Sequence, residues 1–249
     1  MGKRTRTSGE HTTTFKVVAG ITLPIFGAMA DIRVRNPEAL PAEGPFVLSP
    51  NHYSEIDPII MGIATWKSGR APHFMAKASL WRIPILRGVL NGLKQIPVER
   101  DRSARSGTPM QAAAKVIENQ GSVIVYPEGS LTRDPDLWPM RGKSGAVRLA
   151  KTAGIPLIPA AHWGTQRLMP RYGRGIRPIP RKRIDVVFGA PLDLSDVSNA
   201  HNQEQVTKAT ERLMSEISKL VGELRGLEPP LERWNPSSAG QSETGRFRG

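Results

Sequence analysis

The chain of 249 residues contains no cysteine. A thiolate nucleophile, a disulfide and a cysteine-based metal site are therefore excluded. Its five histidines are scattered, and none stands in a spacing typical of zinc ligands, so the sequence predicts no metal site. Aromatic residues make up only 6% of the chain. Because few side chains can stack on bases and no nucleic-acid-binding motif occurs, we expect no nucleic-acid partner.

The sequence also lacks long hydrophobic runs. No stretch of eighteen or more apolar residues occurs, so no transmembrane helix is predicted. The longest apolar segment, residues 15–30, follows a basic start, an order of parts that signal peptides share. The interpretation we favour for residues 1–30 is a basic tail and an amphipathic helix or helix pair, interrupted by Pro24, lying in a membrane interface. The alternative is a first helix packed on the domain.

Acidic residues are too few to balance the basic ones. The formal net charge is +13, and Arg outnumbers Lys about two to one. Because the guanidinium group suits phosphates and other planar anions, this composition predicts a phosphorylated partner or an anionic surface. Between residues 167 and 183 lie six Arg and one Lys with no acid. This run is either a solvated loop or a surface that meets anionic lipid head groups or a nucleotide phosphate.

Short apolar runs alternate with helical patterns along residues 31–225. Strands are predicted at residues 31–35, 46–48, 73–77, 93–100, 122–126, 155–161 and 184–188, and helices at 58–67, 80–90, 109–119, 141–153 and about 206–224. The alternation predicts a single α/β domain with a mixed, largely parallel central sheet flanked by helices. Functional side chains are then expected in loops at one edge of the sheet. The Pro, Ser and Gly content of residues 226–249 predicts a disordered tail.

One loop of this predicted fold holds a histidine and an aspartate five positions apart. His52 and Asp57 lie between the apolar runs 46–48 and 59–64. Asp57 followed by Pro58 is typical of a helix start, with the aspartate as N-cap. A histidine in such a loop is more often solvated or packed than catalytic. However, a carboxylate at a helix start could also reach back to His52, fix one tautomer and leave the other ring nitrogen as a base.

Four motifs in chain order resemble the glycerolipid acyltransferase family, typified by 1-acyl-glycerol-3-phosphate acyltransferases. They are Asn51-His52-x4-Asp57, Gly92-x3-Ile96-x3-Arg100, Tyr126-Pro127-Glu128-Gly129-Ser130 and Ile155-Pro156-Leu157-Ile158-Pro159. The stretch from Lys77 through Leu80 and Pro84 to Gly88 is also similar to the family's approach to its second motif. The first motif alone is short, but all four in this order across about residues 45–165 are specific.

The resemblance implies transfer of a fatty acyl group from acyl-CoA or acyl carrier protein to a hydroxyl of a glycerol-phosphate acceptor. The acceptor we expect is 1-acyl-glycerol 3-phosphate, in phospholipid biosynthesis, with no cofactor beyond the acyl donor. In the family the residue that matches His52 is the general base and the one that matches Asp57 orients it. An alcohol needs its proton removed as it attacks, and such base catalysis contributes about 10²–10⁴-fold in rate.

The same resemblance assigns acceptor binding to the second and third motifs. Arg100 would bind the phosphate, and the turn Glu128, Gly129 and Ser130 would bind the glycerol. The third motif of the family usually continues Glu-Gly-Thr-Arg, whereas this chain has Ser130 and Leu131. Arg133 is the candidate substitute for that missing Arg, and Lys77 and Lys143 complete the candidate acceptor-binding set.

Several other functions compete with this interpretation. The same chemistry could act on glycerol 3-phosphate, another lysophospholipid or a glycolipid, and a non-catalytic module that binds anionic lipid is the alternative from another class. Ser54 lacks the Gly-x-Ser-x-Gly setting of a hydrolase nucleophile. The sequence around Lys143 and Ser144 lacks the first glycine of a P-loop. We expect a peripheral protein on the cytoplasmic face of the cell membrane.

Overall fold

Seven short strands form one sheet in the computed structural model, which describes residues 12–98, 117–118, 121–173 and 175–242. The strands are β1 (Ala30–Arg35), β2 (Phe46–Pro50), β3 (Pro72–Lys77), β4 (Ile96–Val98), β5 (Ser122–Ile124), β6 (Leu157–Trp163) and β7 (Lys182–Phe188). Their order across the sheet is β1-β7-β6-β2-β5-β3-β4. All neighbours run parallel except β6 and β7. This confirms the predicted mixed, largely parallel sheet.

Helices cover both faces of the sheet. They are α1 (Thr13–Met29), α2 (Asp57–Lys67), α3 (Pro84–Gly92), α4 (Gly145–Ala153), α5 (Thr165–Leu168) and α6 (Gln203–Arg225), with 3-10 turns at Pro37–Ala39 and Ala78–Arg82. On the central strand β2, Val47 belongs to the hydrophobic core between the sheet and helices α4 and α6. Phe46 and Leu48 belong to the hydrophobic core between the sheet and helix α2. Alternate side chains of a strand point to opposite faces, so a continuous apolar run is needed to fill two cores.

Helix α1 is one helix, which differs from the predicted interruption at Pro24. Pro24 cannot donate to the carbonyl four residues earlier, but the helix is held at both ends because Phe15 and Phe26 are buried on the domain. Its outer face exposes an apolar stripe. The described residues include no helix that is both long enough and apolar enough to cross a bilayer.

Two predicted helix starts are also wrong. Helix α2 begins at Asp57, with Ile56 as N-cap and no side-chain cap, because the carboxylate of Asp57 accepts main-chain N–H groups of the preceding loop instead. Helix α4 begins at Gly145 rather than Arg141. The N–H of Arg141 donates to the carbonyl of Trp234, and that of Lys143 donates to the carbonyl of Pro127, so these residues bond outside any helix.

Most of the predicted helix 109–119 lies outside the described residues. The tail predicted to be disordered is described as far as residue 242. It contains no helix or strand there, but it lies against the domain, where Arg233 pairs with Glu211 and the Trp234 carbonyl accepts the Arg141 N–H. This docking differs from the expectation because polar partners, which composition does not reveal, hold the segment in place.

Candidate active site

The candidate site lies where strands β2, β5 and β6 end. These three strands run parallel beside one another, so their carboxyl ends meet at one edge of the sheet. The loop that contains His52 follows β2, and the turn that contains Glu128 follows β5. The N–H of Thr132 donates to the carbonyl of His52 at 2.8 Å, which joins the two loops. The first and third sequence motifs therefore form one structural unit.

His52 and Asp57 are in direct contact. Nδ1 of His52 lies 2.9 Å from Oδ2 of Asp57, and the two side chains are 16% and 0% exposed. The same carboxylate oxygen accepts the N–H groups of Tyr53 at 2.6 Å and Ser54 at 2.7 Å. Because the first turn of α2 holds Asp57 and the loop folds back over it, the imidazole stays at the surface of the site while the carboxylate is fully enclosed.

The surroundings of Asp57 keep it ionised. Burial alone would raise its pKa, but the nearby imidazoles of His162 and His52 and the Ser54 N–H together hold the pKa below its usual value. An ionised carboxylate can only accept a hydrogen bond, so Nδ1 of His52 carries the ring proton. Nε2 of His52 then has a free lone pair and can take a proton from a bound group.

Tyr126 covers one face of this imidazole. The rings of His52 and Tyr126 are stacked with centroids 4.1 Å apart and an interplanar angle of 25°. Burial raises the pKa of Tyr126 well above its ordinary value, so the phenol stays neutral. The stacked ring fixes the plane of the imidazole and removes water from that face.

Glu128 is buried, and its observed contacts are with the chain itself. Oε1 accepts the N–H of His52 at 2.9 Å, and Oε2 accepts the N–H of Met140 at 3.0 Å. Burial raises the pKa of Glu128 to about 8, although the N–H groups of Met140 and His52 oppose that rise. The carboxyl group thus holds the main chain of His52 and of Met140, and the direct contact with glycerol that the resemblance implies stays a prediction.

Lys143 lies beside the turn of the third motif. Gly129 has φ +73, and a Cβ there would lie 3.1–3.3 Å from the Lys143 side chain. The left-handed backbone favours glycine at this position, and the close approach shows that the Lys143 side chain lies against the turn. Lys143 and Glu128 line a cavity of about 260 Å³, together with Met140, Arg141, Gly142, Ser144, Gln203, Thr207, Thr210, Glu211 and Pro236.

The other predicted site residues lie in different settings. Ser130 is half-buried beside Gly129, and Arg133 is almost fully buried. Lys77 ends strand β3, whereas Arg100 lies outside the described residues. The hydroxyl of Ser54 donates to the carbonyl of Met169 at 2.7 Å, which is a structural contact and not that of a nucleophile.

His162 was missed by the sequence analysis. It is fully buried at the end of β6, and its Nε2 lies 3.5 Å from Oδ2 of Asp57. The only sequence signal was a histidine placed at the end of an apolar strand, which is also typical of a core position. Within the described ranges, no group of three or more His, Asp or Glu side chains could hold a metal ion.

A second cavity, of about 320 Å³, is almost entirely apolar. It lies between α1, α2, β3 and α3. Two of its lining residues, Pro58 and Ile59, directly follow Asp57 in the sequence. Its lining residues are Phe15, Val18, Ala19, Thr22, Leu23, Pro58, Ile59, Gly62, Ile63, Trp66, Pro72, Phe74, Leu90, Leu93 and Gln95. Such a space suits a hydrocarbon chain.

The chain matches a known protein family. The family described as Acyltransferase matches residues 31–163, more than half of the chain. The match covers β1 to β6 and therefore includes both loops of the candidate site.

Individual relatives agree with this match. A 1-acyl-sn-glycerol-3-phosphate acyltransferase of Bacillus subtilis is 27% identical over 213 residues, 84% of this chain and 98% of the relative. One of Streptococcus pneumoniae is 26% identical over 208 residues, 82% of this chain and 72% of the relative. The crystal structure of the 1-acyl-sn-glycerophosphate acyltransferase PlsC from Thermotoga maritima has a TM-score of 0.63 at 22% identity, covering 88% of this chain and 80% of that one. That structure supports the fold.

Proposed function

Since the chain belongs to the acyltransferase family, we propose that it transfers a fatty acyl group from acyl-CoA or acyl carrier protein to the free hydroxyl of 1-acyl-glycerol 3-phosphate, in phospholipid biosynthesis. The observation that carries the proposal is the contact of 2.9 Å between His52 and Asp57 at the sheet edge, with the Lys143 cavity on the adjacent turn. The names of the relatives support the choice of acceptor.

The reaction needs one base and no enzyme nucleophile. Nε2 of His52 takes the proton of the acceptor hydroxyl while the hydroxyl oxygen attacks the thioester carbonyl carbon. The imidazolium that forms is stabilised by the buried carboxylate of Asp57. When the tetrahedral intermediate collapses, the carbon–sulfur bond breaks and the leaving thiolate takes the proton from His52. An ester and a free thiol are the products, and His52 returns to its starting state.

Basic side chains would hold the acceptor phosphate. Lys143 lines the cavity next to Gly129, and the resemblance adds Arg100 to the same task. A phosphate is recognised by guanidinium and ammonium groups through charge-assisted hydrogen bonds. Glu128 serves this arrangement indirectly in our proposal, because it fixes both the His52 main chain and the Met140 segment that leads to Lys143.

The apolar cavity would receive the acyl chain. Its lining includes Pro58, the residue after Asp57, so a chain placed there would have its carboxyl end near the base. Apolar side chains from α1 close the cavity on the outer side, so α1 would contribute both to the substrate site and to the protein surface.

The outer face of α1 supports a peripheral position on the cytoplasmic face of the cell membrane. Val17, Ile21 and Ile25 are 56%, 59% and 51% exposed, at intervals of four residues on one face of the helix. The exposed segment 175–181 follows the same surface, because Arg181 donates to the carbonyls of Gly27 and Ala30 at the end of α1. Apolar and basic side chains together suit a bilayer that contains anionic lipids.

Product analysis of the purified protein tests the proposal. We expect it to release thiol from acyl-CoA and to acylate 1-acyl-glycerol 3-phosphate in preference to glycerol 3-phosphate and other lysophospholipids offered in competition. His52→Ala should abolish this release, whereas His201→Ala, which changes an exposed histidine, should not. Full activity in His52→Ala would overturn the mechanism, and preference for another acceptor would overturn the assigned substrate.

A further inference from the structure

Beside the proposed base lies a buried histidine to which the proposed reaction assigns no step. His162 is fully buried in β6, and its ring faces the loop that carries His52. The Asn51 side chain makes two hydrogen bonds to the main chain of this residue. Its Oδ1 accepts the His162 N–H at 2.9 Å, and its Nδ2 donates to the His162 carbonyl at 3.2 Å. The backbone of His162 is therefore fixed to the residue that precedes His52.

The ring nitrogens of His162 have different partners. Nε2 lies 3.0 Å from the carbonyl oxygen of Asn51 and 3.5 Å from Oδ2 of Asp57. Both partners are acceptors, so Nε2 must carry a proton. Nδ1 lies 3.4 Å from the hydroxyl of Thr165, which can donate to it. All three contacts agree with a neutral imidazole that carries its one ring proton on Nε2.

Burial favours the same state. It lowers the pKa of His162 below its ordinary value, although the charge of Asp57 opposes that shift. The ring is then a neutral donor near pH 7: its Nε2–H donates to the Asn51 carbonyl and also lies 3.5 Å from a carboxylate that has lost all contact with solvent. Such an N–H dipole stabilises the anion without supplying a competing charge.

We propose that His162 is a positioning residue for Asp57, and that its Nε2–H keeps the carboxylate turned so that Oδ2 faces Nδ1 of His52. This inference rests on the proposed role of His52 as the base. Among the described residues, Oδ1 of Asp57 has no hydrogen-bond partner, so every contact that orients the carboxylate is made through Oδ2. Three of those contacts come from the loop itself, and the His162 contact is the one that connects the carboxylate to the sheet.

Two substitutions separate positioning from mere packing. His162→Gln places an amide N–H near the position of Nε2, whereas the shorter His162→Asn ends near the position of Nδ1. We expect His162→Asn to lower kcat by about tenfold or more, since the N–H beside the Asp57 carboxylate is lost, with the acceptor KM unchanged within about twofold. His162→Gln should stay within about threefold of the wild-type kcat. Equal kcat values in the two folded variants would overturn the inference.

His73→Asn is the matched control. His73 is another buried histidine, and its Nδ1 bonds the Ser122 carbonyl at 3.0 Å in a different part of the sheet. This variant should lower the melting temperature but leave kcat per folded molecule unchanged. If His73→Asn lowers kcat as much as His162→Asn, the effect reports stability and the inference fails.

NMR of the wild-type protein labelled with 15N-histidine tests the same point without any folding risk. The chain has only five histidines, so single variants can assign their signals. We expect His162 to be neutral near pH 7 with its proton on Nε2, and the Nδ1–H of His52 to give a low-field signal that shifts in His162→Asn. A His162 ring protonated on Nδ1 alone would overturn the inference. Activity retained in His52→Ala would instead overturn the proposed function itself.

The pH profile supplies a further readout. The groups that face Asp57 are His52, Tyr53 and Ser54 on its own loop, His162 on β6, and Tyr126 and Glu128 on the segment after β5. If His162 stabilises the Asp57 charge, the acid limb of kcat/KM in His162→Asn should move by more than about 0.3 pH units, which a purely structural defect would not cause. An unmoved limb together with an unchanged kcat would overturn the inference.

Discussion

The main-chain N–H of His52 donates to Oε1 of Glu128 at 2.9 Å, and this bond joins the first and third motifs of the sequence. The other carboxyl oxygen accepts the N–H of Met140 at 3.0 Å. Glu128 thus crosslinks three chain segments at the edge of the sheet. Because its side chain is enclosed, we attribute its importance to the hydrogen bonds it accepts rather than to its charge.

Substitution of Glu128 by Gln and by Ala separates these two contributions. Gln keeps the shape and one acceptor oxygen, so we expect a kcat within about tenfold of the wild type. Ala leaves two buried N–H groups unpaired, at about 1–3 kcal/mol each, and should lose more than about a hundredfold in activity as well as stability. Steady-state kinetics and urea unfolding measure both effects. Equal losses in the two variants would show that the charge matters instead.

The raised pKa of Glu128 also predicts a pH dependence of stability. The folded state holds the proton up to about pH 8, whereas an unfolded glutamate releases it near 4.5. The folded state therefore binds more protons between those values, and this contribution to stability declines as the pH rises from 4.5 to 8. Urea midpoints of Glu128→Gln should fall less steeply over that window than those of the wild type. Identical slopes would contradict the assigned pKa.

The local part of this site could be predicted from the sequence, because it depends on residues close together in the chain. His52 and Asp57 are five positions apart in a strand-loop-helix segment, and the buried strands are short apolar runs. Membership of the acyltransferase family followed from four motifs in order. The two wrong helix starts have different physical causes: the Asp57 carboxylate binds N–H groups of its own loop, whereas Arg141 makes a main-chain bond to Trp234, far away in the chain.

The contacts of His162 and Glu128 could not be predicted in the same way. The tie between His162 and Asp57 exists because β6 lies beside β2, with Ala160 opposite Pro50, and no local pattern fixes that neighbour. The burial of Glu128 likewise depends on how residues 131–140 fold over the turn. Pro24 was a misleading signal, since packing of both ends of α1 outweighs one lost main-chain bond.

Replacement of Asp57 by Asn tests the charge beside His52. Asn can still accept the N–H groups of Tyr53 and Ser54, but it cannot stabilise an imidazolium, so we expect kcat to fall by about 10²–10⁴-fold with little change in acceptor KM. Asp196→Asn, at an exposed ion pair with Arg212, is the matched control and should keep full activity. A loss confined to KM would place Asp57 in substrate binding instead.

The same variant has a defined effect on acid stability. The folded pKa of Asp57 lies below its usual 3.8, so its contribution to stability is present above that value and disappears as the pH falls through the folded pKa. The unfolding midpoint of the wild type should therefore drop more steeply below about pH 4 than that of Asp57→Asn. Equal acid slopes would contradict the lowered pKa.

Ala19→Leu tests the apolar cavity as the acyl site. Ala19 lines the cavity from α1, and Leu is a good helix former there, so the added atoms should fill cavity space without breaking the helix. We expect the preferred acyl-CoA to become shorter, with the acceptor KM unchanged. Gly20→Leu, on the same helix where a Cβ meets open space, is the control and should keep the wild-type chain preference. An unchanged preference in Ala19→Leu would move the acyl chain elsewhere.

The outer stripe of α1 gives the test of membrane docking. Val17, Ile21 and Ile25 are each more than half exposed, so changing all three to Ser should leave the melting temperature nearly unchanged. If the stripe enters the bilayer surface, each side chain contributes about 1 kcal/mol, and the triple variant should bind anionic vesicles roughly a hundredfold more weakly. Sedimentation with vesicles of mixed neutral and anionic lipid measures this. Leu231→Ser, at an exposed residue of the C-terminal segment, is the control and should bind as the wild type does. Undiminished binding of the triple variant would show that α1 serves only to pack on the domain and to close the apolar cavity.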